Sequence, residues 1–535
     1  MNKNRFLSFT FQHQPSFFLF LTAIFGIYII WPLNNFQFYL SPLDHGRDLY
    51  CFKRTLDGAL PYQDYSWIYG PLMPYYFATF LHLFGVKIQS VLLGQNILIF
   101  FSGILIYFTC TIFTRPLFAL ICALWYWSFR QMEFFYTYHH NGAILLLFLL
   151  IYFLIRYIFE SKKIFVYGGF LTLFFLFLVK FNIGFATLAG FSLSLFWTDS
   201  IKKERRENQN RQTFFLIALL LGSVFFVYWL FLHPLPTYVV SQAFPYLPSQ
   251  RISSSTLPEG LIFLLKTSFY TFTGTLARKV FAIFLGFCLL RFILRKEDQA
   301  GQKKNFLLSM SCLFVMMALS LHEFIFSETM YTLNWGFPFF FILLFFIVEG
   351  GLRNLSFAIR ILAAVTLFYI AVLQLNIYRE NIISFKNPAH LIEIEENKVY
   401  TTQLPEWKTI LNQTLGFLKS SVSPRENLLI ADSPLYYFLS GRKSPIRELE
   451  FTKDSCANQG NNIIRILEQK PVHWILFTNW SSKLKDEDEF GVTYCQEFKK
   501  YIDGHYKEAA IWGNWKNPPG WAEDHGTKFL KRAVE

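Results

Sequence analysis

Charge is scarce in this 535-residue chain: Asp, Glu, Lys and Arg make up 16% of it, against 53% hydrophobic residues. That balance excludes a row of two to four ordinary soluble domains, which length alone would suggest. Cysteine is sparse as well, seven in all, and no spacing resembles a zinc site. No G-x-G-x-x-G occurs, so no dinucleotide site is inferred. Basic-aromatic nucleic-acid motifs are missing too. The net charge of +13 sits in short loops between apolar runs, so no nucleic acid is expected as a partner. The first apolar run, 17–31, lacks a small-residue cleavage site and is followed by many similar runs. It reads as a retained span and not as a signal peptide.

What the chain has in abundance is apolar runs, with 66 phenylalanines. They recur to about residue 376 and give eleven candidate spans: 17–37, 88–112, 116–134, 142–159, 164–180, 183–198, 213–232, 279–295, 306–322, 333–350 and 357–376. At about 1.5 Å per residue each reaches, or nearly reaches, across a hydrocarbon core of about 30 Å. Two shorter segments, 71–85 and 261–274, would reach only about 22 Å and read as interfacial helices. With the N-terminus inside, Arg115, the basic segments 156–163, 202–211 and 295–304, and Arg353 all fall on the cytoplasmic side. Letting 71–85 cross would put Lys202, Lys203, Arg205, Arg206 and Arg211 outside, so N-in, C-out is the expected topology. The loop 39–87, the segments 136–142 and 180–184, the loop 233–278 and the segment 322–331 then all face outward, as a shared outward cavity would require.

Composition shifts after about residue 377. Residues 377–399 read as a linker and 400–535 as a soluble α/β domain. Its expected order is a helix starting at Pro405, the strand NLLIAD, and a helix capped by Ser433 with Gly441 beyond its end. Then come the helix NNIIRILEQK, the strand VHWILFTN, the helix VTYCQEFKKYIDGHY, and the strands EAAIWG and KFLKRAV. Alternating strands and helices predict a mostly parallel, Rossmann-like sheet. Cys456 and Cys495, on the outer side, are candidates for a disulfide. Cys110, Cys122, Cys288 and Cys312 lie in apolar runs as small core residues.

Polar residues near the apolar runs supply the candidate chemistry. Asp44 and Asp48, four apart, share a face if their segment is helical. They either cap and pair with Arg47, Lys53 and Arg54, or one serves as a general base or metal ligand. Lys180 either snorkels to headgroups or binds a lipid phosphate. His139 and His140 diverge by about 100° on a helix and make a poor metal pair, so one of them lining a polar pocket is the better reading. Glu323, Glu328 and Tyr331 are interface residues or line the same outward side. The aromatics of 62–76, Tyr69 among them, are a membrane-interface belt or a stacking surface for a sugar.

Taken in order, these features resemble the GT-C superfamily of polyprenyl-phosphate-sugar glycosyltransferases, broadly the protein O-mannosyltransferase and lipid A aminoarabinose transferase type. LDHGRD after the first span matches the family's acidic motif, and GALPYQD follows it. YGPLMPYYFATFLHLFG resembles the Pro-Pro-Leu segment and short helix, and LFLVKFNIG the later Leu-Thr-Lys-Gly segment. ADSPLYYFLSGRKSPIR resembles the α/β domain of bacterial members.

The resemblance implies a polytopic helical protein of the bacterial inner membrane, with catalytic domain 1–376 and a periplasmic domain. Its activity would be inverting transfer from a polyprenyl-phosphate donor to an acceptor hydroxyl of a glycolipid, polysaccharide or protein. It assigns the base to Asp44, with Asp48 in reserve, and donor-phosphate binding to Lys180, helped by Arg47, His139 or His140. Asp64, Tyr69, Asn141, Asn182, Glu328 and Tyr331 become substrate-binding candidates. Membrane lipids are further partners, and a divalent metal and the oligomeric state stay open. Two departures stand out: His45 occupies a position where many relatives carry a second acid, and Gly70-Pro71-Leu72 replaces Pro-Pro-Leu without the preceding lysine. The rival classes are a lipid-linked sugar transporter or flippase, a non-catalytic envelope assembly protein or sensor, and an O-antigen-type polymerase or ligase. No internal repeat favours a transporter.

Overall fold

The computed structural model describes residues 15–129, 137–202, 206–233, 235–236, 240, 276–294, 300–327, 330–353, 355–451, 456, 463–479, 489–516 and 526–533. In chain order its first helices are α1 (Pro15–Ile30), α2 (Asp44–Leu56), α3 (Leu72–Phe84), α4 (Ile88–Thr111) and α5 (Pro116–Phe129). Next come α6 (His140–Glu160), α7 (Lys163–Val179), α8 (Phe181–Lys202), α9 (Arg206–Leu232) and α10 (Leu276–Leu294). Then follow α11 (Ala300–Ser320), α12 (His322–Ser327), α13 (Phe337–Leu352), α14 (Phe357–Phe385), α15 (Pro405–Ser421), α16 (Leu435–Ser440) and α17 (Gln496–His505). The strands are β1 (Phe36–Gln37), β2 (Leu391–Ile394), β3 (Asn397–Thr401), β4 (Asn427–Ala431), β5 (Val472–Thr478), β6 (Tyr506–Trp512) and β7 (Thr527–Arg532).

A helix occupies each of the eleven segments expected to span: α1, α4 to α11, α13 and α14. Among the described residues six helical stretches are long and apolar enough to cross a membrane: Pro15–Leu33, Ile88–Thr111, His140–Glu160, Phe181–Lys202, Arg211–Leu232 and Phe357–Phe385. Pro116–Ser128, Lys163–Val179, Phe284–Leu294 and Phe337–Leu352 are shorter apolar helices. The segment 71–85 forms α3, of 13 residues, while 261–274 lies outside the described residues.

The chain divides into two compact units. The first comprises Met1–Pro32, Gln95–Trp229 and Phe244–Glu380. In it α6 packs on α7, α7 on α8, α8 on α11, α13 on α10 and α11, and α1 on α5. Small residues permit the close crossings, as is usual among apolar helices. A Cβ at Gly351 would lie 2.5 Å from the Cα of Cys288, so α13 and α10 meet backbone to backbone there. Two polar pairs tie helices inside this apolar packing: the indole N–H of Trp125 donates to the Leu367 carbonyl at 2.7 Å, and the Tyr157 hydroxyl meets Asp199 at 2.5 Å. By contrast α9 and α14 leave Phe215, Phe225, Leu362 and Val365 exposed, Phe225 by 73%. Faces of that kind call for an apolar solvent, and a bilayer supplies one.

The second unit comprises Leu33–Gly94, Leu230–Ala243 and Asn381–Glu535. The loop 39–87 thus belongs to the same compact unit as the C-terminal segment, and the bonds that join them are explicit. β1 pairs parallel with β3, which pairs antiparallel with β2, in the order β1-β3-β2. β2 and β3 therefore lie within 377–399, the stretch read as a linker, and just beyond it. The α2 helix packs on α16. A Cβ at Gly46 would come 2.3 Å from the Leu435 nitrogen, and that nitrogen donates to the Pro42 carbonyl at 3.2 Å. The Tyr50 hydroxyl accepts the Ser444 N–H at 2.8 Å, and its ring lies 5.1 Å from that of Tyr437.

The larger sheet of this unit has the order β4-β5-β7-β6. Helices and strands fall where the sequence predicts them, but the sheet is mixed. β4 and β5 run parallel, while β7 is antiparallel to both β5 and β6. This corrects the expected mostly parallel sheet. Alternation of strands and helices licenses a parallel crossover only where a helix intervenes, and the sequence pattern predicts none between EAAIWG and KFLKRAV. Ser433 is corrected as well: it does not cap α16, and its hydroxyl donates to the Thr478 hydroxyl at 3.1 Å. Gly441 does end that helix in the left-handed region, with φ of 68°. Leu429, Ala431, Phe451, Ile475, Phe477 and Phe498 form the core on one side of the sheet. Cys456 and Cys495 are joined as a disulfide, with Cα atoms 5.0 Å apart.

Replacing Gly46 by alanine should destabilise the second unit by about 1–3 kcal/mol, because the Leu435 backbone is too close to yield to a methyl group. Thermal unfolding of the purified protein should show it, and an unchanged midpoint would contradict the close approach.

Candidate active site

Two clusters of buried charge stand out, one in each unit. In the second unit α2 begins at Asp44, whose N–H donates to the Ser41 hydroxyl at 3.1 Å. The helical spacing brings Asp44, Arg47 and Asp48 together, and Glu450, 403 residues from Arg47, completes the group. The Arg47 Nη1 donates to Glu450 at 2.6 Å and to Asp44 at 3.3 Å, and its Nε and Nη2 donate to Asp48 at 3.3 Å. The guanidinium also lies 5.3 Å from the centre of the Tyr69 ring. Burial by itself would lower the Arg47 pKa. The Tyr69 phenol and the carboxylates of Glu450, Asp48 and Asp44 outweigh it and hold the group well above its ordinary value.

This geometry separates acids that look alike in sequence. The Asp48 side chain is 0% exposed and turned to Arg47, whereas Asp44 keeps 28% of its side chain accessible. Only the second can meet a substrate without a rearrangement. Burial, with the Asp44 charge adding to it, pushes the nearby Tyr39 phenol up, so it stays neutral beside the carboxylate. Asp64 is placed apart from this group: its carboxylate accepts the Leu60 N–H at 2.7 Å and closes an exposed turn. Tyr69 serves the cluster through its ring while its carbonyl accepts the Tyr62 hydroxyl.

His45 is turned into the protein, 1% exposed. The Ser41 N–H donates to its Nδ1 at 3.0 Å, and its Nε2 lies 3.2 Å from the Gln37 amide nitrogen on β1. The residue that replaces an expected acid thus ties α2 to the small sheet. Among the described residues no three His, Cys, Asp or Glu side chains form a metal-holding group.

In the first unit Lys180 occupies the single extended residue between α7 and α8, with φ of −150°. It is 2% exposed, and its Nζ lies 3.3 Å from Glu323 and 4.7 Å from the centre of the Trp335 ring. Asn182 donates to the other Glu323 oxygen at 3.2 Å and lies 3.4 Å from His322 Nε2. His322 Nδ1 is 2.8 Å from the Leu319 carbonyl, so that nitrogen carries the proton and Nε2 accepts. The His140 ring meets the Trp335 ring edge to face at 4.8 Å, and the His139 ring meets that of His140 edge to face at 4.4 Å. Asn141 is buried one residue on, its amide 3.4 Å from the Tyr138 carbonyl. Glu328 and the side chain of Tyr331 lie outside the described residues.

Sequence reasoning did not find Glu450 as a partner of Arg47 or Trp335 as a partner of Lys180. PIRELE carries no motif that separates its acids, and no local periodicity links residues so far apart. Glu323 was in view as an outer residue, but its role as the counter-ion of Lys180 was not.

No family model matches the chain, and no curated protein does. Among solved structures, the crystal structure of ArnT from Cupriavidus metallidurans bound to undecaprenyl phosphate matches with a TM-score of 0.52. The match covers 95% of this chain and 97% of that one, at 9% sequence identity. The fold is ArnT-like. The likeness extends over nearly the whole of both chains.

Two outcomes test the charge arrangement. Lys180→Met should cost about 3–5 kcal/mol by leaving Glu323 buried without its partner. Adding Glu323→Gln should restore most of that loss in thermal unfolding. Asp432, buried beyond β4, accepts the Phe451 N–H at 2.7 Å, and burial still raises its pKa well above the usual range. The native form therefore keeps a proton that the unfolded chain releases near pH 4, so stability falls as pH rises from there through the raised pKa. Asp432→Asn should lose less stability over that range than the parent protein, and parallel pH profiles would contradict the assignment.

Proposed function

We propose that the chain is a glycosyltransferase that takes its sugar from a polyprenyl-phosphate donor in a bacterial inner membrane, with its chemistry on the periplasmic side. The observation that supports this most is the ArnT-like fold over 95% of the chain, together with a buried lysine in the Lys180 segment and an accessible carboxylate in the acidic motif. In this reading Asp44 accepts the proton of an acceptor hydroxyl. The oxygen attacks the anomeric carbon from the face opposite the phosphate and inverts it. The bond from that carbon to the phosphate oxygen breaks, and its electron pair leaves with the lipid phosphate. Lys180 neutralises the charge that develops there, the phosphate taking the place that Glu323 holds on the ammonium. Asn182, His140 and Trp335 surround that place.

Arg47, held by three carboxylates, acts in this scheme by setting Asp44 and Asp48 and is not the main phosphate ligand. Asp48 is the carboxylate that keeps Arg47 in position. The acceptor is a hydroxyl on a glycolipid, polysaccharide or protein.

Transfer from undecaprenyl-phosphate-linked sugar into an acceptor fraction should fall by about 100-fold or more in Asp44→Asn, the scale of a lost general base. It should persist in Asp432→Asn. Full transfer by a folded Asp44→Asn protein would remove the base from this scheme.

A further inference from the structure

A cleft of about 770 Å³ lies wholly within the second unit, between the β2–β3 hairpin and helices α15 and α16. It is far larger than a packing defect and belongs to neither charge cluster. Lys419, Arg425 and Lys443 line it and are exposed. Among the described residues none of the three has a carboxylate within ion-pair distance, whereas the cleft's Glu393 is paired with Lys398 at 2.6 Å. Glu426 is also engaged, accepting the Ser423 N–H and the Trp474 indole N–H. Arg442 is bound to the carbonyls of Val422, Ser423 and Glu426 and forms part of the cleft's frame. Three cations are left facing an open space, which the exposed Glu395 also lines.

A second observation concerns Gly416. It lies inside α15, and glycine costs a helix stability relative to alanine. No left-handed backbone requires it, and an added Cβ would meet nothing within 4 Å. Packing therefore does not account for the glycine. Its effect is to leave bare helix backbone on the lining of the cleft, where a ligand can approach closely.

We propose that this cleft binds an anionic saccharide segment, with Lys419, Arg425 and Lys443 reading its phosphate or carboxylate groups and Gly416 admitting a sugar ring against α15. A concave lining with cations and amide side chains such as Asn412 and Asn427 suits a polar chain better than the plane of a bilayer. The inference does not require the glycosyltransferase reading, because it concerns binding alone.

The test uses the full chain in dodecyl maltoside and calorimetric titration with octagalacturonate, a phosphorylated oligosaccharide and a neutral dextran octasaccharide. The proposal expects binding of an anionic oligomer and at least tenfold weaker binding of the dextran. Comparing the two anions distinguishes carboxylate from phosphate recognition. The triple variant K419E/R425E/K443E should lose at least tenfold in affinity. Gly416→Gln should lose at least threefold while raising the melting temperature, a pairing that a purely structural glycine would not produce. Equal binding of the dextran would overturn the proposal. So would unchanged affinity in both variants, or loss of the anionic oligomer's binding to competing phosphatidylglycerol vesicles with no dependence on the three cations.

Discussion

A buried guanidinium cannot stand alone, and the way Arg47 is satisfied organises the second unit. Its side chain is 4% exposed, and it reaches Asp44, Asp48 and Glu450 at once. Removing a charge from water costs several kcal/mol per ion unless partners and hydrogen bonds replace the lost hydration. Two of the partners come from one turn of α2, but the third comes from a strand-rich segment 403 residues on. Meeting the cost therefore requires the acidic loop and the C-terminal segment to fold together. Gly46 against Leu435, His45 holding Ser41, and Tyr50 under Ser444 all serve the same close approach. The accessible Asp44 is presented by a frame and not by a free loop.

The first unit meets the same constraint in an apolar setting. Lys180 breaks the path between two long helices, and its ammonium is matched by Glu323 and by the face of Trp335. A pair like this is a poor source of stability, since apolar residues of similar size would do as well. Its value is better sought in what it binds. An anion that reaches Lys180 finds a cation already desolvated, with Asn182 and His322 positioned around the displaced carboxylate. That is the physical link between the fold and the proposed phosphate chemistry.

The helices were legible in the sequence because each is a local pattern: a run of apolar residues with caps or breaks at its ends. The order of elements after Pro405 was legible for the same reason. Strand direction was less so, since β7 lies between β5 and β6 through pairings that periodicity does not encode. The site was legible only in part. Asp44, Asp48, Arg47 and Lys180 stood out as charges beside apolar runs, but the roles that separate them depend on partners far along the chain. His45 shows the limit most plainly. Read as a missing acid, it is a buried ring whose two nitrogens bind a backbone N–H and a neighbouring amide, a role that no motif comparison distinguishes from a catalytic one.

The central claim is that Lys180 receives the phosphate of a polyprenyl carrier. The most direct measurement is an experimental density map of the protein saturated with undecaprenyl phosphate. The account predicts the phosphate within about 4 Å of the Lys180 ammonium, an ion-pair distance, with Glu323 no longer in contact with it. A phosphate bound elsewhere, with Lys180 still held by Glu323, would contradict it.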